Sequence, residues 1–444
     1  MALMVGVSGV RGLVGQTLTP ELVCGFAQAY GTMLKGGRVV LARDSRPSGE
    51  MYGAAAAAGL LSAGCDVTRL GIAMTPTVGY AIRTGGFKGG MSITASHNPA
   101  QWNGLKFLDN EGLAPDPAIA AEIKTIYDNR AFNTARSGFS PMVIDDQAGQ
   151  RHAHAVKKLI EVDLAPLKGA KVVLDCVNGA GGVVTPTFLR ELRLDVDVMN
   201  GEPNGLFAHE PEPIESNLRT VADRVRAVGA AVGFCQDPDA DRLALIDEKG
   251  AFIGEEYTLA LSTWSVLSRN PGPVAANLST SRLIDAIAEK YCVTVTRTPV
   301  GEANVARAMI REKCVVGGEG NGGVIDPRVC LVRDSLSAMS LTLQLMAQTG
   351  QSVSELVAAL PRFAMIKQKF ECPREKIQVA ATAVAQKFAN ERVNQSDGTR
   401  VDFAEGWVHL RASNTEPIVR IMAEAEDDKV AHALIERVHA AAGL

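Results

Sequence analysis

The sequence predicts an α/β protein: three similar units of strands alternating with helices, built on mixed or largely parallel sheets, followed by a smaller α+β unit. Three observations carry this. Apolar, β-branched runs of strand length alternate with small-residue or amphipathic stretches of helical length. That order of elements recurs three times before residue 320. The tail from about residue 370 breaks the order, opening on a helix and closing on strands and a last helix. At 444 residues the chain is too long for one ordinary core, and length alone suggests about three domains.

In the first unit a strand at 38–42 (RVVLA) precedes a small-residue helical stretch at 48–63. A strand at 66–72, a helix at 76–84 and a strand at 90–95 complete it. The second unit has strands at 171–175 (KVVLD), 194–198 and 231–235, with helices near 183–192 and 216–228 between them. The third has strands at 273–277, 293–296 and 314–316, with helices near 281–290 and at 303–312. In the tail, a helix at 374–390 leads into a polar turn region at 392–400. A strand at 406–411, a loop, a strand at 418–424 and an amphipathic helix at 428–441 follow. The expected domains are 1–150, 151–255, 256–368 and 369–444.

Composition narrows the function. Hydrophobic residues make up 46% of the chain and charged residues 21%, as in ordinary globular proteins. With 45 basic against 49 acidic residues the net charge is −4, which offers no global attraction to nucleic acid or an anionic membrane. No apolar run approaches a membrane span and the N-terminus lacks a cationic leader. The eight cysteines form no CxxC pair and lie mostly in apolar runs, which points to reduced thiols and a cytoplasmic setting.

The third strand of each unit ends in a polar segment, where open α/β sheets keep their chemistry. The first ends in Thr94-Ala95-Ser96-His97-Asn98-Pro99. Pro99 keeps Asn98 out of the helical region, so a stiff loop presents the Ser96 hydroxyl beside the His97 imidazole. The second ends in Asp237, Asp239 and Asp241, whose alternation lets the carboxylates converge in an extended loop. Three carboxylates that close repel unless a divalent cation neutralises them, and a set without histidine favours Mg²⁺ over zinc. Arg242 adds a cation to orient a phosphate. A calcium loop is a poorer match, because Arg242 stands where its turn needs glycine and strand-like runs flank the segment. The third ends in GGEGNGG (317–323), too glycine-rich for a strand or helix interior, with Glu319 and Asn321 able to bond sugar hydroxyls.

Two donor-rich segments complete the set. Arg411, Ser413, Asn414 and Thr415, with Arg420 close behind, supply what a phosphate dianion wants. Arg11 lies in a glycine-flanked basic loop, and Lys106 follows Ser96 as a lysine whose pKa desolvation and neighbouring cations would lower for proton transfer.

TASHNP, DPDADR, a GE-x-x-G loop and RASNTEP, in that order, together with SGVRG (8–12) and HEPEP (209–213), resemble the α-D-phosphohexomutases over essentially the whole chain. The resemblance implies four domains around a central cleft, the last one mobile. It implies a phosphoserine at Ser96, Mg²⁺ held by Ser96, Asp237, Asp239 and Asp241, and sugar recognition by Glu319 and Asn321. Arg411, Ser413, Asn414 and Thr415 would bind the unreacting phosphate, while Arg11, Lys106 and His97 would serve at the reacting one. The implied reaction interconverts hexose 1-phosphate and 6-phosphate, with a hexose 1,6-bisphosphate as intermediate and activator. The implied partner is a small sugar phosphate, and the implied assembly a monomer or homodimer. Many members carry GE-x-S-G-H in the sugar loop; GEGNGG lacks that Ser and His and looks most like the phosphoglucosamine mutase group. A Mg²⁺-dependent phosphatase and a non-catalytic sugar-phosphate-binding protein are the competing expectations.

Overall fold

The computed structural model describes residues 3–6, 9–412 and 418–443. Four sheets succeed one another along the chain. The first three share one plan of four strands. In the first unit these are Gly37–Arg43, Cys65–Ile72, Gly89–Ile93 and Trp102–Leu108. The first strand sits between the second and third and runs parallel to both, and the fourth returns antiparallel beside the third. The second unit repeats this with Lys171–Asp175, Asp195–Met199, Val232–Gln236 and Leu243–Ile246. The third does so with Val274–Asn277, Val295–Thr298, Val316–Glu319 and Gly323–Ile325. Three α/β units with mixed sheets, then a smaller α+β unit, are thus the observed architecture. The sequence reading lacked the fourth, returning strand in the first and third units and had only a strand-like run for it in the second.

Continuous apolar runs become strands here because helices cover both faces. In Gly37–Arg43, Val39 and Leu41 pack with Phe26, Tyr30 and Tyr52 of helices Pro20–Met33 and Gly49–Ser62. Val40 and Ala42 face the opposite way, into the cluster of Val78 and Ile82 from helix Thr75–Gly85. That second cluster continues through the second and third units. At its centre is helix Ser335–Thr349, buried from Ser335 to Met346, its leucines and methionines in the cluster and its buried Ser335 and Thr342 hydroxyls bonded to backbone carbonyls.

Four local expectations change. Arg11 is on a strand, Gly9–Leu13, paired between Met4–Gly6 and Trp102–Leu108, and not in a loop. Gly9, at φ +129, lets these strands close; a Cβ there would lie 1.8 Å from the Leu105 carbonyl oxygen. The glycine-rich run at 317–323 ends one buried strand and starts the next, because Ala275 and Met309 crowd Gly317 and leave no room for a side chain. The polar region at 392–400 is a hairpin of Arg392–Asn394 and Thr399–Asp402. Strand Ala364–Glu371 spans the division expected at 368 and pairs along its length with Ile418–Ala425, so the fourth unit begins before it.

The five-stranded C-terminal sheet has helices Arg374–Lys387 and Asp428–Ala442 on one face. Its other face meets the third unit, where His409 Nδ1 pairs with Ser279 Oγ at 2.9 Å and the Arg282 amide donates to Glu424 at 2.9 Å. Among the described residues no helix is long and apolar enough to cross a membrane.

Candidate functional site

The three turns that join third to fourth strands meet. Ser96, in the turn after Gly89–Ile93, is 2% exposed and has φ +51, a left-handed conformation costly for a residue with a Cβ. Thr94 and Arg46 hold it there. The Ser96 amide donates to Thr94 Oγ1 at 2.9 Å, and Thr94 Oγ1 donates to Asp44 Oδ2 at 2.6 Å. Arg46, paired with Asp44 at 3.0 Å, donates to the carbonyl oxygens of Ser96, Asn98 and Pro99 at 2.7, 2.6 and 2.9 Å. Neither Asp44 nor Arg46 drew notice in the sequence; the only signal was a DSR triplet at the end of the first strand.

The Ser96 hydroxyl donates to Asp237 Oδ2 at 3.0 Å and lies 3.3 Å from His97 Nδ1. Asp237, Asp239 and Asp241 are fully buried, each offering an oxygen within 4.8 Å of the others. They converge through a tight turn with Ala240 at φ +54, and not through the expected extended alternation. Their outer oxygens are occupied. Asp239 Oδ2 accepts from Thr75 Oγ1 and Lys106 Nζ, both at 2.6 Å, and Asp241 Oδ2 accepts from Lys106 at 3.1 Å and Arg333 at 2.8 Å. Asp239 Oδ1 and Asp241 Oδ1 are buried without any partner among the described residues. Orphaned carboxylate oxygens beside a serine hydroxyl fit a hard divalent cation. Ser96, Asp237, Asp239 and Asp241 are the residues able to hold it.

The electrostatics follow from this crowding. Burial and the charges of Asp241 and Asp239 push Asp237 well above its ordinary value. Burial acts the same way on Asp241, but Arg333, Lys106 and Arg242 outweigh it and hold that carboxyl well below the usual range. For Lys106, burial would lower the pKa as expected from sequence, yet Asp239 and Asp241 override it and raise the ammonium above its ordinary value. The expected lowering fails because the nearest charges are carboxylates. Burial, with Arg242 and Arg11, pushes His97 down to about 2, so its imidazole is uncharged.

Arg11, Lys106, Arg242, Glu319, Asn321, Arg333 and Arg411 line one cavity of about 610 Å³, to which all four units contribute. Arg11 also donates to Asn98 Oδ1 at 3.2 Å, and Arg242 lies 3.9 Å from Glu212 of the HEPEP run. Glu319 is committed on both oxygens, to Asn277 at 2.9 Å and the Gly301 amide at 3.0 Å on one, and to Arg333 at 2.7 Å on the other. Asn321 Oδ1 is buried and unpartnered among the described residues. Arg411 donates to Asp397 Oδ2 at 2.8 Å, which also accepts the Val300 amide. Arg420 is opposite Arg411 on the next strand, exposed and outside the cavity wall. Ser413, Asn414 and Thr415 lie outside the described residues. Arg333, which ties two of the three turns together, was missed from sequence because its segment has no motif of its own.

Family models for phosphoglucomutase/phosphomannomutase match all four parts: α/β/α domain I at 2–134, domain II at 150–250, domain III at 254–363 and the C-terminal domain at 365–441. A probable phosphoglucosamine mutase of Methanopyrus kandleri is 38% identical, over 97% of this chain and 95% of that one. A phosphoglucomutase/phosphomannomutase of Thermococcus kodakarensis is also 38% identical, over 98% and 97%. Among solved structures, a phosphoglucomutase/phosphomannomutase family protein from Burkholderia thailandensis superposes with a TM-score of 0.87 at 25% identity, covering 99% of this chain and 98% of that one. The chain belongs to the α-D-phosphohexomutase family and is an isomerase of that kind.

Proposed function

We propose that this enzyme interconverts the 1- and 6-phosphates of a hexose, glucosamine first among them, through a phosphoserine at Ser96. The observation that carries this is the Ser96 hydroxyl at 3.0 Å from Asp237, beside two orphaned carboxylate oxygens and a cavity walled by cations from all four units. In the first half-reaction the P–Oγ bond of phosphoserine breaks, a P–O bond to the free sugar hydroxyl forms, and the hydroxyl's proton replaces the one that Lys106 gives to the leaving Ser96 Oγ, leaving a 1,6-bisphosphate. The bisphosphate turns over, and its other phosphoryl group returns to Ser96 Oγ. Such transfer needs positioning and charge neutralisation above all. Mg²⁺ on Ser96, Asp237, Asp239 and Asp241 would supply part of that neutralisation.

The chain's own residues do the rest. Arg11 and Arg242 orient the reacting phosphate. Lys106, held as an ammonium, neutralises charge and donates a proton to the leaving oxygen. His97, uncharged, orients Oγ. Arg411, with Ser413, Asn414 and Thr415, grips the phosphate that is not reacting, while Arg420, outside the cavity wall, takes no part in that grip. Glu319 and Asn321 face the sugar. Burial of Ser96 keeps water from the phosphoserine. A hexose 1,6-bisphosphate primes the serine. The fourth domain closes on the bound sugar. The working form is a cytoplasmic monomer or homodimer that takes a small sugar phosphate.

The unpartnered Asn321 Oδ1 is an acceptor suited to an amino group at C2, and the Methanopyrus relative carries the matching name. The Thermococcus relative at the same identity favours glucose or mannose phosphates as a second reading. Side-by-side assays of glucosamine 6-phosphate, glucose 1-phosphate and mannose 1-phosphate decide between them, and the hexosamine reading is lost if it is turned over least efficiently. Steady phosphate release without isomerisation would instead identify a phosphatase. No transfer to any sugar after priming with a bisphosphate would identify a binding protein.

A further inference from the structure

Arg333 is 7% exposed, and its guanidinium is surrounded by carboxylates from two different turns and a helix start. It donates to Asp241 Oδ2 at 2.8 Å, in the turn that holds the aspartates, and to Glu319 Oε2 at 2.7 Å, in the turn that faces the sugar. Its Nε lies 3.7 Å from Glu302, whose carboxylate also accepts the Arg333 amide. The side chain gets there by crossing Gly323. A Cβ on Gly323 would stand 2.1 Å from Arg333 Cδ, so the glycine is the gap through which the arginine passes.

We infer that Arg333 is a positioning residue for phosphoryl transfer, its guanidinium fixing the sugar-facing turn at one distance from the aspartate turn. A planar fork holds two carboxylates at a fixed separation and angle, whereas an ammonium such as Lys106 can bond two but on freely rotating donors that fix neither. Arg333 lines the cavity, yet both nitrogens that bond are spent on protein carboxylates, so its work is on the frame and not on the sugar. Gly323 belongs to the same device.

The inference rests on the mutase reading, and the experiment separates the two. Arg333→Ala, Arg333→Lys, Gly323→Ala and the Arg333→Ala/Gly323→Ala pair are prepared in the full chain, with circular dichroism as the check on folding. Loss of the bridge is expected to lower kcat on the order of 10- to 100-fold with KM within a few-fold. Binding of glucosamine 6-phosphate to the metal-free chain, by calorimetry, should change little. Millimolar guanidinium should restore part of the kcat of Arg333→Ala, whereas Arg333→Lys should stay impaired. Gly323→Ala should reproduce the loss, and the pair should be no worse than the worse single change. Wild-type kcat in Arg333→Ala, or fully additive losses in the pair, overturns the inference while the mutase reading stands. A wild-type chain that isomerises no sugar phosphate overturns the mutase reading itself, and the inference with it. Should Arg333→Ala not fold, Arg333→Lys and Gly323→Ala carry the same comparison.

Discussion

The Arg46 guanidinium donates to the backbone carbonyl oxygen of Ser96 at 2.7 Å, from a side chain that is 1% exposed. It is also the partner of Asp44, a fully buried carboxylate whose pKa burial raises and Arg46 opposes. One cation thus shapes the serine turn and neutralises a buried anion. Arg46→Met should therefore cost about 3–5 kcal/mol of stability, because it leaves Asp44 uncompensated. It should also lower turnover by loosening residues 96–99. Chemical denaturation and a mutase assay check both. A stable variant with normal kcat would mean the turn holds its shape without the clamp.

Ser96 pays for its place with a left-handed backbone, φ +51. Ser96→Ala and Ser96→Gly should both abolish turnover while sugar-phosphate binding stays measurable by calorimetry. The glycine variant should be the more stable, by about 1 kcal/mol, since only the alanine keeps the strain. Near-normal turnover in either variant would exclude Ser96 as the phosphoryl carrier.

The orphaned oxygens of Asp239 and Asp241 make metal removal a sharp probe. Mg²⁺ at a hundredfold excess over its Kd should stabilise the chain by about 2.7 kcal/mol, and a chelator should reverse it. Asp239→Asn should remove that response. Asp237→Asn should raise the melting temperature of the metal-free chain, since it relieves repulsion among three buried carboxylates. An Asp237→Asn chain that melts lower without metal would show that Lys106 and Arg333 already neutralise the group.

Much of this was legible beforehand, and the limits have physical causes. Runs such as RVVLA announce strands because both faces are buried, and the order of elements survives translation into three repeated sheets. The returning strands were only partly legible. Leu243–Ile246 reads as a strand-like run, but Trp102–Leu108 follows the serine turn so closely that it reads as loop, and Gly323–Ile325 is hidden behind glycines. Within the site, Ser96 and the aspartates carry motif-like spacing. Arg46 and Arg333 are single arginines, and their meaning comes only from carboxylates and carbonyls far away in sequence. The sign of the Lys106 shift was likewise decided by which charges the fold places nearest.

His409 predicts how acid acts on the fourth unit. It is fully buried, bonded to Ser279 of the third unit and to the Asp397 carbonyl. Burial pushes its pKa from 6.5 down to about 4, helped by Arg400 and Arg411 and opposed by Asp397. Between these values the unfolded chain binds a proton that the folded chain refuses. Stability is therefore full above pH 6.5 and falls as pH drops toward 4, by up to about 3 kcal/mol. His409→Gln should flatten that slope, read as melting temperature against pH. An unchanged slope would place the acid sensitivity elsewhere.

Arg411 is the last residue on strand Gly406–Ala412 but one, and it reaches the cavity while anchored to Asp397. Asp397 in turn holds the Val300 amide, so the phosphate grip of the fourth unit is set against the wall of the third. Arg411→Ala should lose a charged hydrogen bond to phosphate, about 1.5–3 kcal/mol. That corresponds to a rise in KM of roughly tenfold to hundredfold. If the residue grips the unreacting phosphate, kcat should fall much less than KM rises, because that contact persists from ground state to transition state. Asp397→Asn should give a smaller rise in KM, since the guanidinium stays but loses its anchor. A collapse of kcat at unchanged KM in Arg411→Ala would place Arg411 at the reacting phosphate instead.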